Sequence, residues 1–127
     1  LKRLHYGNSD MSGGISQYWL ESSLKISPVE QVQLLKNFYT NQIGFKDKNV
    51  QVVKEAIKLE QKNKVLLSGK TGTGAINGKE VNGWFIGYVE KGKDTYFFAT
   101  NIERKEKATG KKAAEITLSI LKDMGIY

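Results

Sequence analysis

The stretch VLLSGKTGTGAINGKEVNGWFIGYVEKG, Val65–Gly92, decides the fold. Its glycines and the Gly69-Lys70-Thr71 triplet give it the look of a phosphate-binding loop, but the spacing does not fit. A Walker A loop needs a glycine five residues before Gly69, where Lys64 stands. A dinucleotide fingerprint begun at Gly72 finds Gly74 in place but Asn77 where the third glycine belongs. Both motifs also need a helix immediately afterwards, whose free N–H groups meet the phosphate. The next segment is instead VNGWFIGYVE, Val81–Glu90, a β-branched and aromatic run that reads as another strand. The stretch is therefore two strands joined across Ala75–Glu80, with Asn77-Gly78 as tight-turn chemistry.

Outward from this hairpin, DTYFFATNIE, Asp94–Glu103, comes after the turn KGKD and completes a predicted three-stranded antiparallel meander. Before it, SPVEQVQLLKNFYTNQ opens with Ser27 as N-cap, Pro28 at the first helical position and Glu30 closing a capping box. Val32, Leu35, Phe38 and Tyr39 recur at helical spacing and predict its buried face. A second helix is expected from about Asp47, with Val50, Val53 and Ile57 turned inward. The turn Asn41–Asp47 joins the two helices, with Gly44 as C-cap. After the polar loop RKEKATG, the segment Lys111–Gly125 sets Ala113, Ile116, Ile120 and Met124 on one stripe and stops at Gly125. Tyr6–Gly14, YGNSDMSGG, is loop, and the apolar bulk of Ile15, Tyr18, Trp19 and Leu20 tucks its continuation against a core. The order is loop, helix, helix, three strands, helix. That is an α+β pattern, an antiparallel sheet flanked by helices, with no internal repeat.

Composition narrows the function. With 127 residues, 39% hydrophobic and 26% charged, the chain has the make-up of one compact domain. It contains no apolar run of about 18 residues to span a bilayer, and LKRLHYGNSD lacks the apolar centre of a signal peptide, so any targeting segment is expected outside it. The absence of Cys excludes disulfides, thiol nucleophiles and Cys-built zinc sites, and His5 alone cannot form a histidine-rich metal site. The net charge is +7, yet of 20 basic residues only Arg3 and Arg104 are Arg. Base-edge and bidentate phosphate recognition favour Arg, so this is a Lys-solubilised surface and no nucleic-acid partner is expected.

Two local motifs remain. Lys-Thr-Gly on an edge strand can present backbone N–H groups to an anion. Gly72 would leave the backbone open to approach, Lys70 adds charge, and Thr71 and Thr73 share a face. The competing reading is a glycine-rich bend at a sheet edge. Ser22–Lys25, SSLK, satisfies Ser-x-x-Lys, in which a helical Lys activates a Ser one turn away. It stands between a loop and the start of the next helix, and it reads as a surface turn.

Taken in order, YGN at Tyr6–Asn8, SGG at Ser12–Gly14, YWLESSLKIS around Trp19, SGKTGTG around Lys70, GWFIGYVEKG and YFFATNIE resemble the C-terminal half of class D, oxacillinase-type, serine β-lactamases. They resemble equally the penicillin-sensing domain of membrane-anchored β-lactam receptors, which shares that fold. The resemblance implies that residues 1–127 are the C-terminal part of a single penicillin-recognising, transpeptidase-like domain, a partial serine β-lactamase or penicillin-binding-protein fold. It implies that Lys70 supports proton traffic and the substrate's negative charge. Thr71 and Thr73 would bind the β-lactam carboxylate beside Gly72, and the Thr73 N–H would supply half of the oxyanion hole. Tyr6, Gly7 and Asn8 would shape the site wall, and Trp19 would hydrogen-bond a carbamylated lysine, the family's general base. For Trp19 the alternative is a core indole satisfied by a backbone carbonyl.

The family's nucleophilic Ser, the carbamylated Lys and the Ser-x-Val motif all precede Tyr-Gly-Asn, so they are expected outside this chain. SSLK comes after Tyr-Gly-Asn and is not the nucleophile. The family's carboxylate-binding Arg near the last helix is absent, and Lys111, Lys112 or Thr73 is left to carry that role. The implied function is hydrolysis of the β-lactam amide bond through a serine acyl-enzyme, which confers antibiotic resistance. The alternative is a sensor that is acylated without turnover. No cofactor or metal is implied beyond N-carboxylysine, formed with carbon dioxide on a lysine outside this chain. The partners implied are β-lactam antibiotics, with membrane attachment only through an anchor outside this chain and an extracytoplasmic location, whether secreted, periplasmic or anchored.

Overall fold

The computed structural model describes all 127 residues. Its centre is a four-stranded antiparallel sheet in sequence order: β1 Lys58–Lys62, β2 Val65–Ile76, β3 Lys79–Lys91 and β4 Asp94–Glu103. The three-stranded meander expected from sequence is present, and β1 is added to it. KLEQK carries a single apolar residue, the exposed Leu59, so no hydrophobic alternation marks it. Its order comes from backbone pairing with Val65–Ser68 across a turn in which Asn63 and Lys64 both have positive φ, 45° and 68°. Asn77 and Gly78 supply the same left-handed pair, 51° and 74°, between β2 and β3.

Helix α1, Pro28–Tyr39, begins as its sequence dictates: Ser27 Oγ accepts from the Glu30 N–H at 3.2 Å while the Ser27 N–H donates to Glu30 Oε2 at 2.8 Å. Its predicted apolar face is half-buried, and the one fully buried residue is Gln31. Tyr39 fastens the helix to one face of the sheet, edge-on to Tyr88 at 4.9 Å and Phe97 at 5.4 Å, with its hydroxyl donating to Glu90 Oε1 at 2.7 Å. Gly44 is not the C-cap. Thr40 caps α1, and the left-handed residue beyond it is Asn41, φ 54°. Its side chain accepts from the Phe45 N–H and donates to Asp47 Oδ1, both within 2.9 Å. Helix α2, Asp47–Ala56, buries Val50 alone, since Val53 is exposed and Ile57 is its C-cap, and it also lays Lys54 Nζ over the Tyr39 ring at 3.9 Å.

Helix α3, Gly110–Asp123, is capped by Thr109, whose hydroxyl accepts from the Lys112 N–H at 3.0 Å. Its buried stripe is Gly110, Ala113, Thr117 and Leu121, whereas Ile120 and Met124 are 50% and 65% exposed. The buried stripe is thus rotated from the predicted one, because hydrophobicity alone passes over Thr117. Its hydroxyl donates to Ala113 O at 2.8 Å and lies 2.7 Å from Thr100 Oγ1, so it is satisfied in the interior. Leu121 and Ile126 close with Leu67 and Val89 into the core between α3 and the sheet.

The C-terminus is tied back to β1 by a hydrogen bond from the Tyr127 hydroxyl to the Glu60 carboxylate. Burial, then Glu60, pushes the Tyr127 phenol up to about 12, and Lys62 ahead of Tyr127 holds the Glu60 carboxyl below its usual range. A raised phenol pKa stabilises the folded state fully below the ordinary tyrosine value near 10 and loses that contribution as pH rises through about 12. The depressed Glu60 acts oppositely, contributing above its unfolded value and failing in acid. Tyr127→Phe is therefore expected to lower the urea midpoint slightly near neutrality and to converge with the parent above the phenol pKa. A constant difference across that alkaline range would contradict the tie.

Candidate functional site

Strand β1 ends its pairing at Ser68, so β2 beyond that point has a free edge. The Gly69 N–H donates to Ile57 O at 2.8 Å on the β1 side. Because successive strand residues turn their backbone groups to opposite sides, Thr71 and Thr73 present N–H and C=O out of that same unpaired edge. The exposed Thr71 carbonyl is taken by Lys70 Nζ at 2.6 Å, which folds the ammonium along the edge.

The β2–β3 register pairs Lys70 with Ile86 and Gly72 with Trp84, placing them on the face that α1 partly covers. Thr71 pairs with Phe85 and Thr73 with Gly83, on the opposite face, against α3. Lys70 and the two threonines are therefore separated by the sheet and meet only along its edge. There α3 comes very close: Thr73 Oγ1 accepts from the Gly110 N–H at 2.9 Å. The Thr73 hydroxyl thus keeps its own proton for donation, beside the positive end of a 14-residue helix. At Gly72 an added Cβ would meet only Trp84 Cβ at 3.8 Å, so packing within the chain does not demand glycine there. Lys112 pairs with Glu115 at 3.2 Å and Lys111 is exposed; neither lines the cleft.

A cleft of about 630 Å³ opens over the edge, floored by Trp84 and Ile86 and walled by the loop that carries Tyr6, Trp19 and Leu20. Trp19 is 52% exposed, stands edge-on to Tyr18 at 4.7 Å, and is not a core indole. Tyr6 reaches the cleft, and burial, followed by Tyr18, raises its phenol pKa. Gly7 and Asn8 stand behind the wall. Asn8 donates through Nδ2 to Ser23 O at 2.8 Å and accepts from the Lys25 N–H at 3.1 Å. A Cβ on Gly7, φ 49°, would fall 1.9 Å from Lys25 O, so the close approach of two loop backbones requires glycine. Ser22–Lys25 forms no helix, and Ser23 Oγ is spent on Asp10 O and the Gly13 N–H, both at 3.0 Å.

Glu21, Gln31, Asn82 and Asn101 also line the cleft, and residue type and spacing did not single them out. Asn82 shares the two-residue period of Trp84 and Ile86, and that period places it on their face of the strand. Gln31 Oε1 is buried without a partner, and nothing in the apolar spacing of α1 signals it.

An unpaired edge bearing N–H donors, a Lys and a free hydroxyl suits a ligand with a carboxylate and a carbonyl that becomes anionic. Comparison with known proteins shows the family to which the chain belongs. The family model described as "Penicillin binding protein transpeptidase domain" matches residues 1–122. Regulatory protein BlaR1 of Bacillus licheniformis is 54% identical over 127 residues, covering 100% of this chain and 21% of that protein. The solved C-terminal domain of the Bacillus licheniformis BlaR penicillin-receptor superposes with a TM-score of 0.93 at 54% identity, over 100% of this chain and 51% of that one. A class D β-lactamase from Bacillus subtilis superposes with a TM-score of 0.89 at 39% identity, over 99% and 51%. The chain thus spans about half of each solved domain, corresponding to the C-terminal half of the fold. By the match across nearly its whole length, the chain belongs to the penicillin binding protein transpeptidase domain family, close to BlaR-type receptors and class D β-lactamases.

Proposed function

We propose that the protein carrying this chain is a penicillin receptor: it is acylated by β-lactams and holds the acyl group. Residues 1–127 would form the recognising wall of a single domain whose serine nucleophile and carbamylated lysine lie outside them. In the reaction the serine oxygen adds to the strained lactam carbonyl, the C–N bond breaks, and the serine proton ends on the lactam nitrogen. Lys70 would balance the substrate carboxylate and pass that proton, Thr71 and Thr73 would hydrogen-bond the carboxylate, and the outward Thr73 N–H would meet the developing oxyanion. Trp19, half exposed in the cleft, would face the lysine-derived base. The extracytoplasmic location and the membrane anchor belong to the same reading.

The observation that carries this proposal is the free β2 edge at Lys70–Thr73 in a chain more similar to a penicillin receptor than to a class D β-lactamase. The hydrolase reading draws on that second likeness, and it differs only in that water, activated by the carbamate, releases the acyl group. Rapid mixing of the full-length protein with nitrocefin separates the two. One equivalent of product without turnover is the result expected, steady turnover would establish the hydrolase, and neither burst nor turnover would sink both.

A further inference from the structure

In the loop bearing Trp19, Glu21 adopts a left-handed backbone conformation, φ 49°, that a non-glycine residue holds only when its surroundings enforce it. The enforcement comes from the sheet. The Glu21 carboxylate lies directly over Gly74, where an added Cβ would come within 1.9 Å of Oε1 and 2.4 Å of Cδ. The same Oε1 accepts from Asn82 Nδ2 at 3.0 Å. Asn82 Oδ1 in turn accepts from Asn101 Nδ2 at 2.5 Å, and Asn101 Nδ2 also lies 3.3 Å from Gly83 O. Three half-buried side chains thus cross β2, β3 and β4 and end on the loop, two residues from Trp19 and one strand position from Thr73.

We propose that Glu21, Asn82 and Asn101 are a positioning relay that sets the gap between the Trp19 loop and the Lys70–Thr73 edge, and with it the acylation-competent cleft. The link to acylation rests on the β-lactam reading above; the link to loop order does not. None of the three is a catalytic residue, because each acts through the loop it holds. The polarity of the relay is fixed. A carboxylate only accepts, Asn101 donates, and Asn82 must do both, so its amide has one orientation that satisfies its neighbours. A relay of this kind can be broken by one substitution and repaired by a second, which a merely space-filling cluster cannot.

The test uses the full-length protein with Asn82→Asp, Asn82→Asp/Glu21→Gln and, independently, Gly74→Ala. Asn82→Asp removes the donor and sets two carboxylates against each other. Adding Glu21→Gln restores a donor on the loop side, facing the carboxylate at 82. Gly74→Ala displaces the Glu21 carboxylate sterically and leaves Asn82 unchanged. Amide hydrogen exchange across residues 15–24 and the acylation rate constant for a fluorescent penicillin, separated from its binding constant, are the readouts. Both single substitutions are expected to speed exchange in this segment and slow acylation by about tenfold or more, and the double variant is expected to recover most of both. Exchange unchanged in Asn82→Asp and Gly74→Ala, or no recovery in the double variant, would overturn the relay. A parent protein that is not acylated at all would sink the receptor and hydrolase readings, while the exchange data would still decide the relay.

Discussion

Lys70→Ala in the full-length protein is expected to slow acylation by a penicillin about 10²–10³-fold, the scale of losing one preorganised charge or donor at a developing anion. The unfolding midpoint should barely move, since surface substitutions away from buried contacts fall within about ±0.5 kcal/mol. Lys70 is exposed, and its one hydrogen bond, to Thr71 O at 2.6 Å, is made to its own neighbour's carbonyl. The fold gains little from it, and the free edge gains a cation there. Mass spectrometry of the acyl adduct against time measures the effect, and Lys70→Arg serves as a control that keeps charge but spreads it over a planar fork. Acylation of Lys70→Ala at the parent rate would remove Lys70 from the site and return the Gly-rich strand to a structural bend.

Gly110→Ala is expected to cost about 3 kcal/mol or more, at the upper end of overpacking effects, because no flexible group is available to yield. An added Cβ would stand 2.6 Å from Gly72 O, 2.9 Å from Gly72 N and 2.9 Å from Thr71 Cβ. The strand or the start of α3 must shift, and either movement lengthens the 2.9 Å bond from the Gly110 N–H to Thr73 Oγ1. Stability and acylation should therefore fall together in this variant, read by urea unfolding and by the adduct time course. Gly72→Ala is the contrast, since its Cβ would meet only Trp84 Cβ at 3.8 Å. It should fold nearly as the parent does while obstructing a ligand at the edge. Equal destabilisation by the two substitutions would show that the α3–β2 contact is looser than this packing implies.

The legible part of the fold has a local cause throughout. Ser27, Pro28 and Glu30 start a helix through hydrogen bonds that span three residues. Asn77-Gly78 turns a hairpin through its own φ values. The strand after Lys-Thr-Gly excludes a phosphate loop without any tertiary information. The site was legible in part: Lys70, Thr71, Gly72, Thr73, Tyr6 and Trp19 all line one cleft, whereas Gly7 and Asn8 brace the wall from behind. The two faces of β2 come from the two-residue period, but only the end of β1 at Ser68 turns them into a shared open edge.

The sequence by itself determined the α+β class, the N-cap of α1, the turn between β2 and β3 and the family, since these rest on residue type and short spacing. Tertiary structure alone decided that KLEQK becomes a strand, that α3 buries Thr117 in preference to Ile120, and that Glu21 meets Asn82 across 61 residues of chain. The physical reason is common to all three. A strand without apolar alternation needs a partner's backbone, a buried hydroxyl needs an acceptor to satisfy it, and a carboxylate needs a distant donor. Each depends on a group far away in the chain, and local spacing carries no information about that group until the chain has folded.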